Sequence, residues 1–167
     1  NEVTPGEEGL LYISGPSVFL GYWNRPKENA AAFIKRDGRR WYNTGDVVRE
    51  DHSEGFVYLG RRDRMVKRRG FRIELDDVQS GLYRHKGLRE VAVIAVPDPD
   101  SSVKIIAYLS AHDPDKKPSI IELKTFCYQE LPNYMSPDVF IFLDALPRTS
   151  TDKVNFPALK AAFLEGK

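Results

Sequence analysis

Short apolar runs broken by turn residues fill the first third of the chain; longer apolar runs alternating with amphipathic stretches fill the rest. Gly9-Leu10-Leu11-Tyr12-Ile13-Ser14-Gly15-Pro16 reads as a strand closed by a Gly-Pro stop, and Gly55-Phe56-Val57-Tyr58-Leu59-Gly60 as another bounded by glycines. Between them, Pro26 to Phe33 predicts a short helix, with proline at its start and Lys-Glu-Asn-Ala-Ala-Ala after it. Asp37-Gly38 is a turn signal leading into Trp41-Tyr42.

From about residue 64 the texture changes. A helix is expected near Leu75 to Tyr83, with acids in its first turn where the helix dipole favours them. The apolar runs Val91 to Val96 and Val103 to Leu109 flank Pro97-Asp98-Pro99-Asp100-Ser101-Ser102 and predict two antiparallel strands. Ser119 with Glu122 three residues on is a capping box, opening a helix that should run to about Leu131, before Pro132. Val139 to Leu143 reads as a further strand and Phe156 to Phe163 as a terminal helix with Pro157 in its first turn. The expected class is α+β: a β-rich region over residues 1–62, then a small α+β domain over residues 63–167 with an antiparallel sheet and flanking helices.

The segment Gly60 to Glu74 crosses this boundary and concentrates charge. A period-two reading places Met65, Lys67, Arg69 and Phe71 on one side of an extended chain, and Arg69-Gly70 suits a tight turn between two short strands. Gly70 would supply either a backbone shape or a close approach that a side chain would block. So many cations on a short ribbon imply an anionic ligand, although charge guarding a strand edge against aggregation gives the same pattern.

Composition bears on which anion. The chain has 167 residues, a net charge of +1 and 41% hydrophobic residues, a balance suited to a globular protein of one or two small domains. Proteins that bind nucleic acid or membranes mainly by charge are usually more lopsided. A compact phosphate site is therefore favoured, with neither nucleic acid nor membrane expected as partner. The single Cys127 excludes an intrachain disulfide, points to a reducing, cytoplasmic setting, and sits in an apolar run as a buried thiol. No apolar run approaches the ~20 residues of a membrane span and no signal peptide is recognisable. The start at Asn1-Glu2-Val3, without an initiator Met, leads us to expect a piece of a longer protein.

Three local signals carry chemistry. Tyr42-Asn43-Thr44-Gly45-Asp46 holds a carboxylate in what reads as a tight turn, suited to accepting both hydroxyls of a ribose. The basic ribbon is the second. The third is the polar loop Pro147-Arg148-Thr149-Ser150-Thr151-Asp152-Lys153-Val154, whose lysine would by itself be an ordinary surface residue. His52, His85 and His112 lie far apart without metal-ligand spacing, so no metal site is assigned to them. Ser150 has no histidine–acid partners in a nucleophile motif, which disfavours hydrolase chemistry.

In this order and spacing the three signals resemble the adenylate-forming enzymes, the superfamily of acyl-CoA synthetases, carrier-protein adenylation domains and luciferases. Gly6 to Pro16 with Gly21-Tyr22-Trp23-Asn24-Arg25-Pro26 is similar to a motif of the smaller subdomain of the family's large domain. Thr44-Gly45-Asp46 is similar to its ribose-binding motif, and Gly60-Arg61-Arg62-Asp63 with Val66 to Glu74 to its hinge and the loop beyond. Leu131-Pro132-Asn133-Tyr134-Met135-Ser136-Pro137 and the loop of Lys153 are similar to its C-terminal end.

The resemblance implies roles. Asp46 would bind the ribose hydroxyls of ATP and of the acyl-adenylate, and Arg61 the ribose and phosphate region. Tyr58 would line the nucleotide site, although a strand tyrosine packed in a core is equally open. Asp63 would be the hinge of a mobile C-terminal domain. Lys153 would reach the substrate carboxylate and the α-phosphate. Lys67, Gly70 and Arg72 would enter for a second step, transfer of the acyl group to the thiol of phosphopantetheine or CoA. ATP and Mg2+ would be used, with sites completed by an upstream region, so this chain alone is expected to be inactive. No Gly-x-x-x-x-Gly-Lys loop occurs in it as a substitute.

The family's lysine loop usually carries Asn-Gly before the lysine; here Thr151-Asp152 precede Lys153, which stiffens the approach and sets a carboxylate beside the ammonium. This form leans toward enzymes that load an amino acid onto a carrier protein. An acyl-CoA synthetase is the alternative within the class. A non-catalytic module docking a carrier protein or acidic partner is the alternative outside it, and a nucleic-acid binder is a third.

Overall fold

The computed structural model describes residues 2–51, 53 and 55–166. The chain divides into two compact units, Asn1–Asp63 and Arg64–Lys167.

The first unit is a four-stranded antiparallel sheet built around one long strand. β1 (Glu8–Ile13), β2 (Phe33–Arg36) and β4 (Gly55–Arg61) all pair with β3 (Arg39–Asp51), and α1 (Pro26–Ala32) precedes β2. Asp37 and Gly38 take φ of 51° and 70°, so the expected turn joins β2 to β3 with both central residues left-handed. Phe19, Tyr22, Phe33 and Tyr42 form an aromatic cluster with centroids 5.0–5.3 Å apart. Asn29 of α1 clamps the Gly21-Tyr22 segment, accepting from the Tyr22 amide (2.7 Å) and donating to its carbonyl (2.8 Å). Among the described residues of this unit Val48 is the buried hydrophobic residue, while Leu20 is 92% and Trp23 89% exposed. The sheet has little core of its own.

The second unit opens with a hairpin, β5 (Met65–Arg68) and β6 (Phe71–Glu74), followed by α2 (Leu75–Tyr83). Its central sheet is β7 (Leu88–Asp98), β8 (Ser102–Ala111) and β9 (Val139–Phe142), with α3 (Ile120–Glu130) between β8 and β9 and α4 (Phe156–Leu164) last. β7 and β8 run antiparallel as expected, but β9 lies parallel to β8, so the sheet is mixed. A helical crossover between β8 and β9 permits this pairing, as parallel strands require.

The long apolar runs of β7 and β8 follow from burial on both faces. Val91, Val93, Ile105, Ala107 and Leu109 face a core shared with Ile73, Val78 and Leu82, and with Leu123 and Cys127 of α3. Ala92, Ile94, Val96, Ile106 and Tyr108 face the opposite side, where Leu159 of α4 closes a second core. Tyr108 donates its hydroxyl proton to the Leu159 carbonyl at 3.1 Å, fixing α4. The capping box forms as expected, Ser119 accepting from the Glu122 amide (3.2 Å) and Glu122 from the Ser119 amide (2.7 Å). Helices and mixed sheet together make this unit α+β. Among the described residues no helix is long and apolar enough to cross a membrane.

Candidate active site

Thr44-Gly45-Asp46 is not a turn. It lies inside β3 as a bulge: the pairing with β1 jumps from Leu10↔Val47 to Tyr12↔Asn43, so Leu11 faces three residues. Gly45, at φ 80°, supplies the left-handed backbone. Local side chains close the bulge. Thr44 Oγ1 donates to the Leu11 carbonyl (3.0 Å) and accepts from the Asp46 amide (3.1 Å), while Asn43 Oδ1 accepts from the Gly45 amide (2.9 Å).

On the other side of β3, Asp46 pairs with Arg61 of β4, next to a separate register shift between Val47 and Val48. Arg61 Nη1 donates to Asp46 Oδ1 (3.0 Å) and to the Thr44 carbonyl (3.2 Å), and its Nε donates to Asp63 Oδ1 (3.0 Å). A side chain on Gly45 would start 2.9 Å from Arg61 Nη2, so the glycine also makes room for the guanidinium. Partial burial pushes the Arg61 guanidinium down, but the hydrogen bond and charge of Asp63 and the charge of Asp46 outweigh it and raise it overall. Arg61 uses one of a carboxylate's roughly four lone-pair positions, so Asp46 retains acceptor capacity for a vicinal diol.

Arg61 and Asp63 border an open cleft of about 580 Å³, with Tyr42, Asn43, Thr44 and Gly45 on one wall and Glu28, Ala31 and Ala32 of α1 on another. That volume lies within the range of small-molecule sites. Tyr22 completes the cleft, its hydroxyl 3.1 Å from that of Tyr42. That hydrogen bond, then burial, raises the Tyr22 phenol above its ordinary value. Sequence reasoning gave Tyr22 and Tyr42 no role, although both lie in motifs that carry the resemblance. Tyr58 is 58% exposed on β4, so it is not a core tyrosine.

The basic ribbon is less free than its composition suggests. Arg64 is buried: its Nε donates to Asp76 (2.9 Å), Nη1 to the Val93 carbonyl (2.6 Å) and Nη2 to Gln79 (3.3 Å), while the guanidinium lies over the Phe156 ring. Arg68 is buried too, paired with Asp138 and donating to the Ser136 carbonyl at 3.1 Å. Two of the cations that seemed to call for an anionic ligand therefore hold the fold together.

The turn also alters the faces. Arg69 and Gly70, at φ 50° and 83°, make a two-residue turn that pairs Lys67 with Arg72 and Arg68 with Phe71. Phe71 therefore shares a face with Arg68, not with Lys67, and stacks on Tyr134 at 4.2 Å. Lys67 and Arg72 stand opposite one another on the outer face, where Arg72 Nε donates to Glu74 at 3.0 Å. Open space surrounds the position of a Gly70 side chain, so within this chain Gly70 serves backbone shape.

Lys153 stands exposed in a small hairpin closed by the Arg148↔Val154 bridge. The Thr149 amide donates to the Lys153 carbonyl (2.7 Å) and the Lys153 amide to Thr149 Oγ1 (3.2 Å). Asp152, at φ 60°, adopts the left-handed conformation that a glycine would take without strain. Among the described residues its carboxylate makes no ion pair with Lys153. Cys127 is fully buried and its thiol is pushed up to about 11 by burial, as an inert core residue should be. His52 lies outside the described residues. Among these, no group of three or more His, Cys, Asp or Glu is placed to hold a metal ion.

Residues 77–153 match the AMP-binding enzyme C-terminal domain. The chain belongs to the adenylate-forming superfamily, as a C-terminal portion. An L-proline–[L-prolyl-carrier protein] ligase from Pseudomonas fluorescens is 41% identical over 154 residues, covering 92% of this chain and 28% of that protein. Tyrocidine synthase 2 from Brevibacillus parabrevis is 40% identical over 158 residues, covering 93% of this chain and 4% of that protein. Among solved structures, o-succinylbenzoate CoA synthetase from Bacillus subtilis, in complex with its acyl-adenylate intermediate, superposes with a TM-score of 0.74 at 32% identity. That match covers 95% of this chain and 31% of the other. The chain thus spans less than a third of the length of each of these relatives.

Proposed function

We propose that the chain is the C-terminal portion of an ATP-dependent, AMP-forming acid–thiol ligase, with residues 1–62 ending the large adenylation domain and 63–167 forming the mobile domain. The observation that carries this reading is the Asp46–Arg61 pair on the β3 bulge, beside a cleft of small-molecule size. Asp46, held in place by Arg61, accepts the two ribose hydroxyls through charge-assisted hydrogen bonds. Arg61 adds positive charge toward the phosphates, and Tyr58 flanks the nucleotide.

A carboxylate attacking the α-phosphate meets like charge. Lys153 lies between the two anions in the first step and lowers the barrier electrostatically, while pyrophosphate leaves and the acyl-adenylate forms. In the second step the mobile domain turns about Asp63. Gly70 then lets the thiol arm run close to the hairpin backbone, with Lys67 and Arg72 beside its polar groups. The described residues do not compose a magnesium site.

An amino acid passed to a carrier-protein phosphopantetheine is preferred to an acid passed to CoA. The support is the carrier-protein ligase and the tyrocidine synthase among the relatives, at 41% and 40% identity against 32% for the CoA synthetase. A cytoplasmic setting accords with the free thiol of Cys127.

Lys153→Ala in the full-length protein tests the reading. Acid-dependent ATP–pyrophosphate exchange should fall by about 100–1000-fold. Undiminished exchange would remove Lys153 from the chemistry. Supplying CoA in place of carrier protein in the thiol-transfer assay decides the acceptor.

A further inference from the structure

The loop that bears Lys153 has Asp152 where the family's loop usually carries glycine, and a chain of polar contacts runs from its backbone to β7. Asp152 holds a left-handed backbone at φ 60°, a conformation that glycine takes without strain and aspartate takes only occasionally. Arg148 Nη1 donates to the Asp152 carbonyl at 3.2 Å, on the peptide that leads into Lys153. Arg148 Nη2 is ion-paired with Glu90 of β7. Glu90 is in turn fixed on the sheet: its Oε2 accepts from Ser110 Oγ of β8 at 3.0 Å and from the Leu146 amide at 3.4 Å. Its side chain is 15% exposed, that of Arg148 43%.

We infer that Glu90 and Arg148 are positioning residues for Lys153, a two-member brace that ties the Asp152–Lys153 peptide to the central sheet. The inference rests on the proposed role of Lys153 and adds what sets its backbone. Neither residue touches substrate. Glu90 anchors Arg148 to a rigid strand, and Arg148 extends that rigidity across the open end of the loop. Burial works against the charged form of Glu90, but the hydrogen bonds from Arg148, Ser110 and Leu146 prevail and hold its carboxyl below the ordinary range, so the brace stays ionised at neutral pH. A short, strained loop anchored at one point presents its lysine in one place. A swinging loop would not, and a misplacement of about 1 Å at a reacting centre costs on the order of 100-fold in rate.

The test compares Arg148→Ala, Glu90→Gln and Lys153→Ala in the full-length protein, measuring two half-reactions. For the two brace variants, kcat of acid-dependent ATP–pyrophosphate exchange should fall by about 10–100-fold with the KM for ATP within about threefold of the parent. Transfer from a supplied aminoacyl-adenylate to the carrier thiol should stay within about threefold, because that step does not use Lys153. Arg148→Lys, which keeps charge but loses the two-pronged geometry, should recover only part of the exchange rate.

If Lys153→Ala abolishes exchange while the brace variants retain it, the brace is wrong and the functional reading stands. If Lys153→Ala itself is silent, the functional reading fails. Parallel loss in both half-reactions would mean general destabilisation and would also overturn the brace. Amide hydrogen exchange in the 167-residue chain gives a readout independent of catalysis. Arg148→Ala should speed exchange at Thr149 and Asn155, whose amides donate to the Lys153 and Pro147 carbonyls, without changing the β7–β8 ladder. Unchanged exchange at these two amides would count against the brace.

Discussion

Arg68 and Asp138 join the β5–β6 hairpin to the point where β9 begins beside β8. Asp138 Oδ1 pairs with Arg68, its Oδ2 accepts from the Ile105 amide at 2.7 Å, and its own amide donates to the Ile105 carbonyl at 2.8 Å. Removing the arginine leaves a half-buried carboxylate without its cation, and breaking such a pair costs about 3–5 kcal/mol. Asp138 keeps 26% side-chain exposure, which puts Arg68→Ala near the lower figure. Urea unfolding followed by far-ultraviolet circular dichroism should show a loss of about 3 kcal/mol, against less than about 0.5 kcal/mol for the exposed Lys67→Ala. Equal losses for the two would refute the structural role given to Arg68.

Gly45 serves both the bulge and the guanidinium. Gly45→Ala forces an alanine into φ 80° and puts a methyl 2.9 Å from Arg61 Nη2. We expect the full-length protein to bind ATP about tenfold more weakly, which is about 1.4 kcal/mol. Gly38→Ala is the control. It carries a comparable backbone penalty at φ 70° but meets nothing nearby, so it should lower stability and leave ATP binding unchanged. Calorimetric titration with ATP separates the two, and identical affinities for both variants would contradict the Gly45–Arg61 link.

Burial raises the Cys127 thiol from 9.0 to about 11, with Ser136 opposing by a hydrogen bond. The folded pKa lies above the unfolded one. The contribution of the neutral thiol to stability is therefore complete below pH 9 and is lost as pH rises toward 11. At pH 8 the folded thiol should react with iodoacetamide at least about 100-fold more slowly than the urea-unfolded chain, from the smaller thiolate fraction alone. Fast labelling of the folded chain would place Cys127 at the surface.

Asp98 is held at about 2, first by the Ser101 hydroxyl at 2.7 Å and then by the Lys104 ammonium at 3.1 Å. Here the folded pKa lies below the ordinary 3.8. Its contribution is present above 3.8 and is lost as pH falls through about 2. A carboxyl-detected titration should give a midpoint near 2 that moves back toward 3.8 in Ser101→Ala. A midpoint unaffected by that substitution would show that Ser101 is not the main cause.

What the sequence made legible was local. The capping box at Ser119, the turn at Arg69-Gly70 and the helix after Glu74 all formed where short-range signals placed them. The misreadings share another cause. Thr44-Gly45-Asp46 looked like a turn because Thr-Gly-Asp favours one, yet β1 and β4 on either side hold it inside a strand. Arg64 and Arg68 look like ligand-seeking cations because their partners, Asp76, Gln79, Val93, Ser136 and Asp138, are 12 to 70 residues away. β9 resembles any short apolar strand, and only the route of α3 decides that it runs parallel to β8. In the candidate site, Asp46 and Arg61 were each visible from their motifs, but their contact depends on a register shift that no local pattern encodes.

The division between Asp63 and Arg64 has an optical consequence. Both tryptophans, Trp23 and Trp41, precede it, and the second unit carries only tyrosines and phenylalanines as aromatic chromophores. Indole emission therefore reports on the first unit alone, while the second is silent in that channel. In one unlabelled sample indole light follows the thin sheet, while helical ellipticity follows chiefly the double-cored domain, which holds α2, α3 and α4 against the single short α1 of the sheet unit.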